Sequence, residues 1–122
     1  MNALAKVALA ATMLLVSTYG ALAHAHLKAQ MPATDAKVSA SPAALSLTFS
    51  EGLEIGLSGA TVKDANGKAM KTGPATLAAN DDKRMTVPLD GALAPGSYTV
   101  EWHVLSKDGH TTHGSYPFTV GP

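Results

Sequence analysis

All five histidines of the 122-residue chain lie in two clusters, His24 and His26 near the start and His103, His110 and His113 near the end. The stretch before the first cluster reads as a secretory signal. Lys6 supplies a positive charge, and Val7 to Val16 form an apolar run broken only by Thr12. Two overlapping Ala-x-Ala cleavage sites follow, Ala21-Leu22-Ala23 and Ala23-His24-Ala25. A cut after Ala23 makes His24 the new N-terminus, and a cut after Ala25 makes it His26. In either case one residue carries both a free α-amine and an imidazole. Those two nitrogens can chelate a single divalent metal ion, which an internal histidine cannot do alone.

The second cluster contains Asp108-Gly109-His110-Thr111-Thr112-His113. In extended chain, residues two apart project to the same side. Asp108 and His110 can therefore aim a carboxylate and an imidazole at one point, with Gly109 relaxing the backbone between them. An N-terminus lying across the fold completes a set of amine, His24 imidazole, His110 imidazole and Asp108 oxygen. Three nitrogens and one oxygen suit a tetragonal Cu²⁺ ion, which also tops the Irving–Williams order. Zinc uses the same atom types in a tetrahedral arrangement and is the main competitor. Asp108 and Gly109 also suit an ordinary turn in which the carboxylate caps backbone amides. His26 offers a different mode, third from a free amine if His24 is terminal. That mode binds Cu²⁺ through the amine, two deprotonated backbone amides and the His26 imidazole, and it competes with the folded site for the amine. His103, on the polar side of its strand, reads as a surface histidine, and His113 reaches the site only if the loop coils.

The elements that must hold these residues are strands. Removing residues 1–23 from 122 leaves 99, enough for one domain spanning 24–122 and too few for two. After the signal the hydrophobic period is two. Leu45, Leu47 and Phe49 alternate with Ser46 and Thr48; Met85, Val87 and Leu89 alternate with Thr86 and Pro88, the proline marking an edge or strand end. Tyr98, Val100, Trp102 and Val104 form a third series, and Tyr116, Phe118 and Val120 a fourth. Weaker strands are predicted over 27–30, 60–63 and 75–79. Asp64-Ala65-Asn66-Gly67 favours a tight hairpin, Asn80-Asp81-Asp82-Lys83 reads as a polar loop, and Pro95-Gly96 as a turn. The pattern predicts an all-β, seven-stranded antiparallel β-sandwich with Greek-key links. Trp102, the only tryptophan, is expected to anchor its core.

Composition narrows the function. The mature segment keeps eight Lys and Arg, because Lys6 is lost, against nine Asp and Glu, a net of −1 with histidines neutral. It offers no concentrated basic patch for nucleic acid and no polybasic stretch for anionic lipid. Cysteine is absent, which removes disulfides, thiolate nucleophiles, iron–sulfur clusters and blue-copper ligation. Beyond the signal no run approaches the roughly 18 apolar residues of a membrane span. A soluble exported domain, periplasmic in a bacterium-like cell, is the expectation.

At this point a family resemblance emerges. His24-Ala25-His26-Leu27-Lys28, Pro32-Ala33 and Leu47-Thr48-Phe49-Ser50-Glu51 resemble the start of the periplasmic copper-binding proteins of the CopC family. Gly96-Ser97-Tyr98-Thr99-Val100-Glu101-Trp102 is similar to that family's penultimate strand. Ser106-Lys107-Asp108-Gly109-His110 and Gly114-Ser115-Tyr116-Pro117-Phe118-Thr119-Val120 are similar to its metal loop and last strand. The resemblance covers essentially the whole mature chain. It implies a cupredoxin-like or immunoglobulin-like sandwich binding one Cu²⁺, with the family's terminal histidine at His24 and its aspartate and histidine ligands at Asp108 and His110. The family's acidic residue beside the copper falls on Glu51, expected to bond a water or a ligand, while His26 is variable in such proteins. It also implies copper resistance or homeostasis by sequestration or by transfer to an inner-membrane copper transport protein of the CopD type, with no nucleic acid or small-molecule substrate. One departure matters. Some members carry a Cu⁺ site built from a methionine-rich loop with a histidine, whereas residues 59–85 here hold only Met70 and Met85 and no histidine. A single Cu²⁺ site and no dedicated Cu⁺ site are therefore expected.

Two other functions compete. A histidine-brace copper oxidoreductase would share the terminal histidine, but Asp108 as a ligand would occupy the position oxygen needs. The domain also lacks a flat aromatic platform, so no enzyme activity is expected. A purely structural sandwich with incidental histidines predicts that an extra residue before His24 leaves metal binding unchanged.

Overall fold

A computed structural model of the chain describes residues 25–122, so the segment expected to be a signal and His24 lie outside the described residues. The period-two series become the strands of two facing four-stranded sheets. In chain order the strands are β1 (Leu27–Met31), β2 (Lys37–Val38), β3 (Ala44–Phe49), β4 (Gly59–Asp64), β5 (Thr76–Ala78), β6 (Asp81–Pro88), β7 (Gly96–Leu105) and β8 (Thr111–Val120). One sheet runs β1-β3-β6-β5 and the other β2-β8-β7-β4. Inward positions supply the core: Leu45, Leu47 and Phe49 from β3, Met85 and Val87 from β6, Val62 from β4, Val100 and Val104 from β7, and Phe118 from β8. Tyr98 and Phe118 stack with centroids 5.6 Å apart. The Tyr98 hydroxyl donates 2.6 Å to the Ala94 carbonyl, which fixes the turn into β7.

The expected sandwich is present with eight strands rather than seven. The additional strand, β2, is two residues long and runs parallel to β8, pairing Lys37 with Thr119 and Val38 with Val120. Two residues are too few to display an alternation, which is why periodicity does not reveal it. The polar loop expected at 80–83 is instead a tight turn at Asn80 (φ 60°) followed at once by β6. Asp81, Asp82 and Lys83 extend that strand past the end of the core, where no apolar partner is required. The hairpin expected after β4 forms, with Gly67 at φ 81° and the Asp64 carboxylate accepting from the Asn66 and Lys68 amides at 2.9 Å. Pro88 closes β6, as its ring demands.

Trp102 sits at the end of the sandwich rather than at its centre. It is half-buried and meets Phe49 edge-on, with centroids 5.1 Å apart and planes at 68°. Its ring lies over Gly114, its cross-strand partner, where a Cβ would stand 2.6 Å from Trp102 Cζ2.

One core residue carries an unmatched polar atom. Tyr116 is 4% exposed, and among the described residues its hydroxyl has no hydrogen-bond partner. Burial pushes its phenol up to about 12. The unfolded chain therefore gives up this proton first, near the ordinary value of about 10. The group's contribution is intact below that pH and is lost as pH rises toward 12. Tyr116→Phe should leave the protein at least as stable near neutrality, since no bond is lost. It should also shrink the loss of stability between about pH 9 and 11.5. Urea denaturation of both proteins across that range checks this, and parallel declines would refute it.

Candidate metal centre

The loop joining β7 to β8 is shaped from beneath by a buried serine. Ser106 is fully buried. Its hydroxyl donates to Asp108 Oδ1 and also stands 3.1 Å from the His110 carbonyl. The Ser106 amide donates to the same carbonyl at 2.9 Å, and the Gly109 amide donates to the Ser106 carbonyl at 2.9 Å. Gly109, at φ 92°, takes the left-handed conformation that lets the chain reverse here. Asp108 Oδ1 lies 3.2 Å from His110 Nδ1 and accepts from the His110 amide at 3.3 Å. The two side chains expected to act together are in contact, and the turn reading of Asp108 holds as well. The Ser106 hydroxyl, with His110 as a further donor, keeps the Asp108 carboxyl below its usual range although desolvation pushes the other way.

Two more contacts fix the loop from the side. The Lys107 amide donates 2.9 Å to the Gly52 carbonyl, and Lys107 Nζ pairs with Asp82 Oδ2 at 2.7 Å. The Lys107 hydrogen bond holds the Asp82 carboxyl below its ordinary value, and Asp82 raises Lys107 in return. Both groups are solvent-exposed, so the pair orients more than it stabilises. Gly52 lies directly under it, where a Cβ would stand 2.8 Å from Asp82 Oδ2.

The first described residues are pinned beside this loop. Ala25 is 1% exposed, and its carbonyl accepts a 3.0 Å hydrogen bond from the Thr112 hydroxyl, two residues past His110. The His26 amide donates 2.8 Å to Ser50 Oγ, and the Ser50 amide donates 2.9 Å to the His26 carbonyl. The segment entering β1 is thus tied to both sheets at the end of the sandwich where Asp108 and His110 sit. Glu51 is half-buried between Ser50, which holds His26, and Gly52, which holds Lys107. The third-position mode of His26 requires its amide nitrogen as a ligand, and that amide is engaged with Ser50.

The remaining histidines stand elsewhere. β8 begins at Thr111, so the loop does not coil through His113. His103 and His113 are exposed and occupy directly opposed positions of β7 and β8. Met85 is a core residue and Met70 packs against the core. Among the described residues, no three histidine, aspartate or glutamate side chains converge as a ready-made metal cage. Asp108 and His110 form a pair, and His24 is outside the described residues. Periodicity and the Asp-x-His spacing point to Asp108 and His110 but not to Ser106, Thr112 or Ser50. The Thr112 and Ser50 hydroxyls carry no signal of their own.

The profile of the CopC domain matches residues 27–121. The chain belongs to the CopC family. Among curated relatives of this CopC-family chain, Protein YobA of Escherichia coli (strain K12) is 51% identical over 98 residues, covering 80% of this chain and 79% of that protein. Copper resistance protein C of Escherichia coli is 34% identical over 126 residues, covering 98% and 99%. Among solved structures, CopC from Methylosinus trichosporium OB3b superposes with a TM-score of 0.76 at 36% identity, covering 81% of this chain and 95% of that one. The family and the sandwich expected from the residues are thereby shown.

Proposed function

We propose that this CopC-family protein is a periplasmic copper carrier that binds one Cu²⁺ through the α-amine and imidazole of His24, the imidazole of His110 and the carboxylate of Asp108. The observation that carries this reading is the bond from Thr112 to the Ala25 carbonyl. It holds the sequence neighbour of His24 at Thr112, two residues past His110. The donor set fits the ion: three nitrogens and one oxygen suit tetragonal Cu²⁺. Asp108 is already ionised and shaped by Ser106, and it holds the His110 ring through Nδ1, so Nε2 is the donor assigned to the metal. Glu51, between the two pinned segments, is assigned to a water or ligand beside the ion.

The same contacts favour cleavage after Ala23. A cut after Ala25 would remove a buried residue and the acceptor of the Thr112 bond. The engaged His26 amide supports the folded site over the third-position mode. Sequestration, resistance to copper, or hand-over to a membrane protein of the CopD type then follow as roles for a cargo-binding domain without catalysis.

The test is titration of the mature protein with Cu²⁺. One tight equivalent is expected, weakening as pH falls because the amine and imidazoles must lose protons before they bind. His110→Ala should weaken it by at least about tenfold, in the range seen when ligand-shell groups are removed. A tight equivalent indifferent to that substitution would overturn the assignment.

A further inference from the structure

We infer a second divalent-metal site on the outer face of the β2-β8-β7-β4 sheet, formed by His103 and His113. The two residues are directly opposed in the β7–β8 register. Both are exposed, and both alternate with inward residues: Val104 beside His103, and Gly114 and Tyr116 beyond His113. Directly opposed residues of an antiparallel pair hold their Cβ atoms about 4.5–5.5 Å apart. Two imidazoles at that spacing can share one ion at metal–nitrogen distances of about 2.0–2.1 Å.

The neighbours define what kind of site this is. On the other side of His103 stands Gly59, its partner in β4, where a Cβ would lie 3.2 Å from His103 Cε1 and 3.6 Å from Nε2. The His103 ring leans over that glycine, and binding requires it to swing toward β8. The ring is exposed, so moving between staggered wells displaces only solvent. Glu101, the next outward residue on β7, is paired with Lys63 at 2.7 Å and is not assigned as a third ligand. Two neutral imidazoles with water at the remaining positions suit a borderline ion, Cu²⁺ ahead of Zn²⁺. With only two protein donors the ion would be held more weakly than at the terminal site and would exchange readily.

This site shares no ligand with the one proposed above, so the two stand or fall separately. The experiment follows the imidazole C–H signals of the mature protein by NMR as Cu²⁺ is added past one equivalent. The second equivalent is expected to broaden the His103 and His113 rings together. His113→Ala should abolish the broadening at His103 and weaken the second equivalent at least tenfold, and His103→Ala should do the converse. His110→Ala should leave this response intact. Both positions face solvent, and circular dichroism verifies that the variants fold. Broadening of one ring alone, or an unchanged His103 response in His113→Ala, would overturn the proposal. Failure of the terminal site would show instead as a first equivalent indifferent to His110→Ala.

Discussion

One extra residue placed ahead of His24 in the mature protein should lower its Cu²⁺ affinity by about 10²-fold or more. The proposed chelate depends on the amine and the imidazole belonging to one residue, so that the second donor binds as an intramolecular event at high effective concentration. An added residue turns that amine into an amide, which has no lone pair to offer until it gives up its N–H proton, and so removes the amine–imidazole chelate of one residue. The metal-free fold should respond little, because among the described residues the first tie to the sheets is the carbonyl of Ala25, beyond the alteration. Competition titration against a chelator of known strength, paired with thermal melting of the metal-free protein, separates the two effects. Equal affinity in the extended and native proteins would remove the terminal amine from the site and leave the incidental-histidine reading standing.

Phe49→Ala should be the most damaging single truncation of the sandwich near the site. Phe49 is 1% exposed, pairs with Leu27 across β1 and meets Trp102 edge-on at 5.1 Å. Removing a buried ring costs about 3–5 kcal/mol when its surroundings cannot close over the cavity. Here they cannot do so easily, because Trp102 is already committed to the space above Gly114. For a domain of this size the melting temperature should fall by more than about 10 °C. Thermal denaturation of the metal-free variant measures it. A loss below about 1 kcal/mol would mean that Trp102 or Leu27 moves in to fill the gap.

The sandwich was legible wherever one strand face is apolar and the other polar. Leu45, Leu47 and Phe49, and likewise Tyr98, Val100 and Val104, announce both the strand and its buried side. Legibility failed where burial does not dictate residue type. β2 is too short to alternate, and the polar start of β6 from Asp81 lies past the core. Alternation puts Trp102 in the right layer but gives only its face and not its position along the sandwich axis, where it stands at the end. For the site, the spacing of Asp108 and His110 was enough to pair them. The hydroxyls of Ser50 and Thr112 act across 24 and 87 residues of chain. Nothing local distinguishes such a hydroxyl from any other on a strand. Ser106 is the exception that spacing could have flagged, as a serine two residues before an aspartate at a turn.

Ser106 lies in the interior, and the loop above it takes its shape from that anchorage. Bonds from beneath, none of them to an ion, set the form of this loop. If the loop holds the proposed Cu²⁺, its release would leave the packed side chains below untouched, and a recipient would compete only for donors at the surface. Exchange would then be limited by how fast donors swap and not by any refolding of the domain.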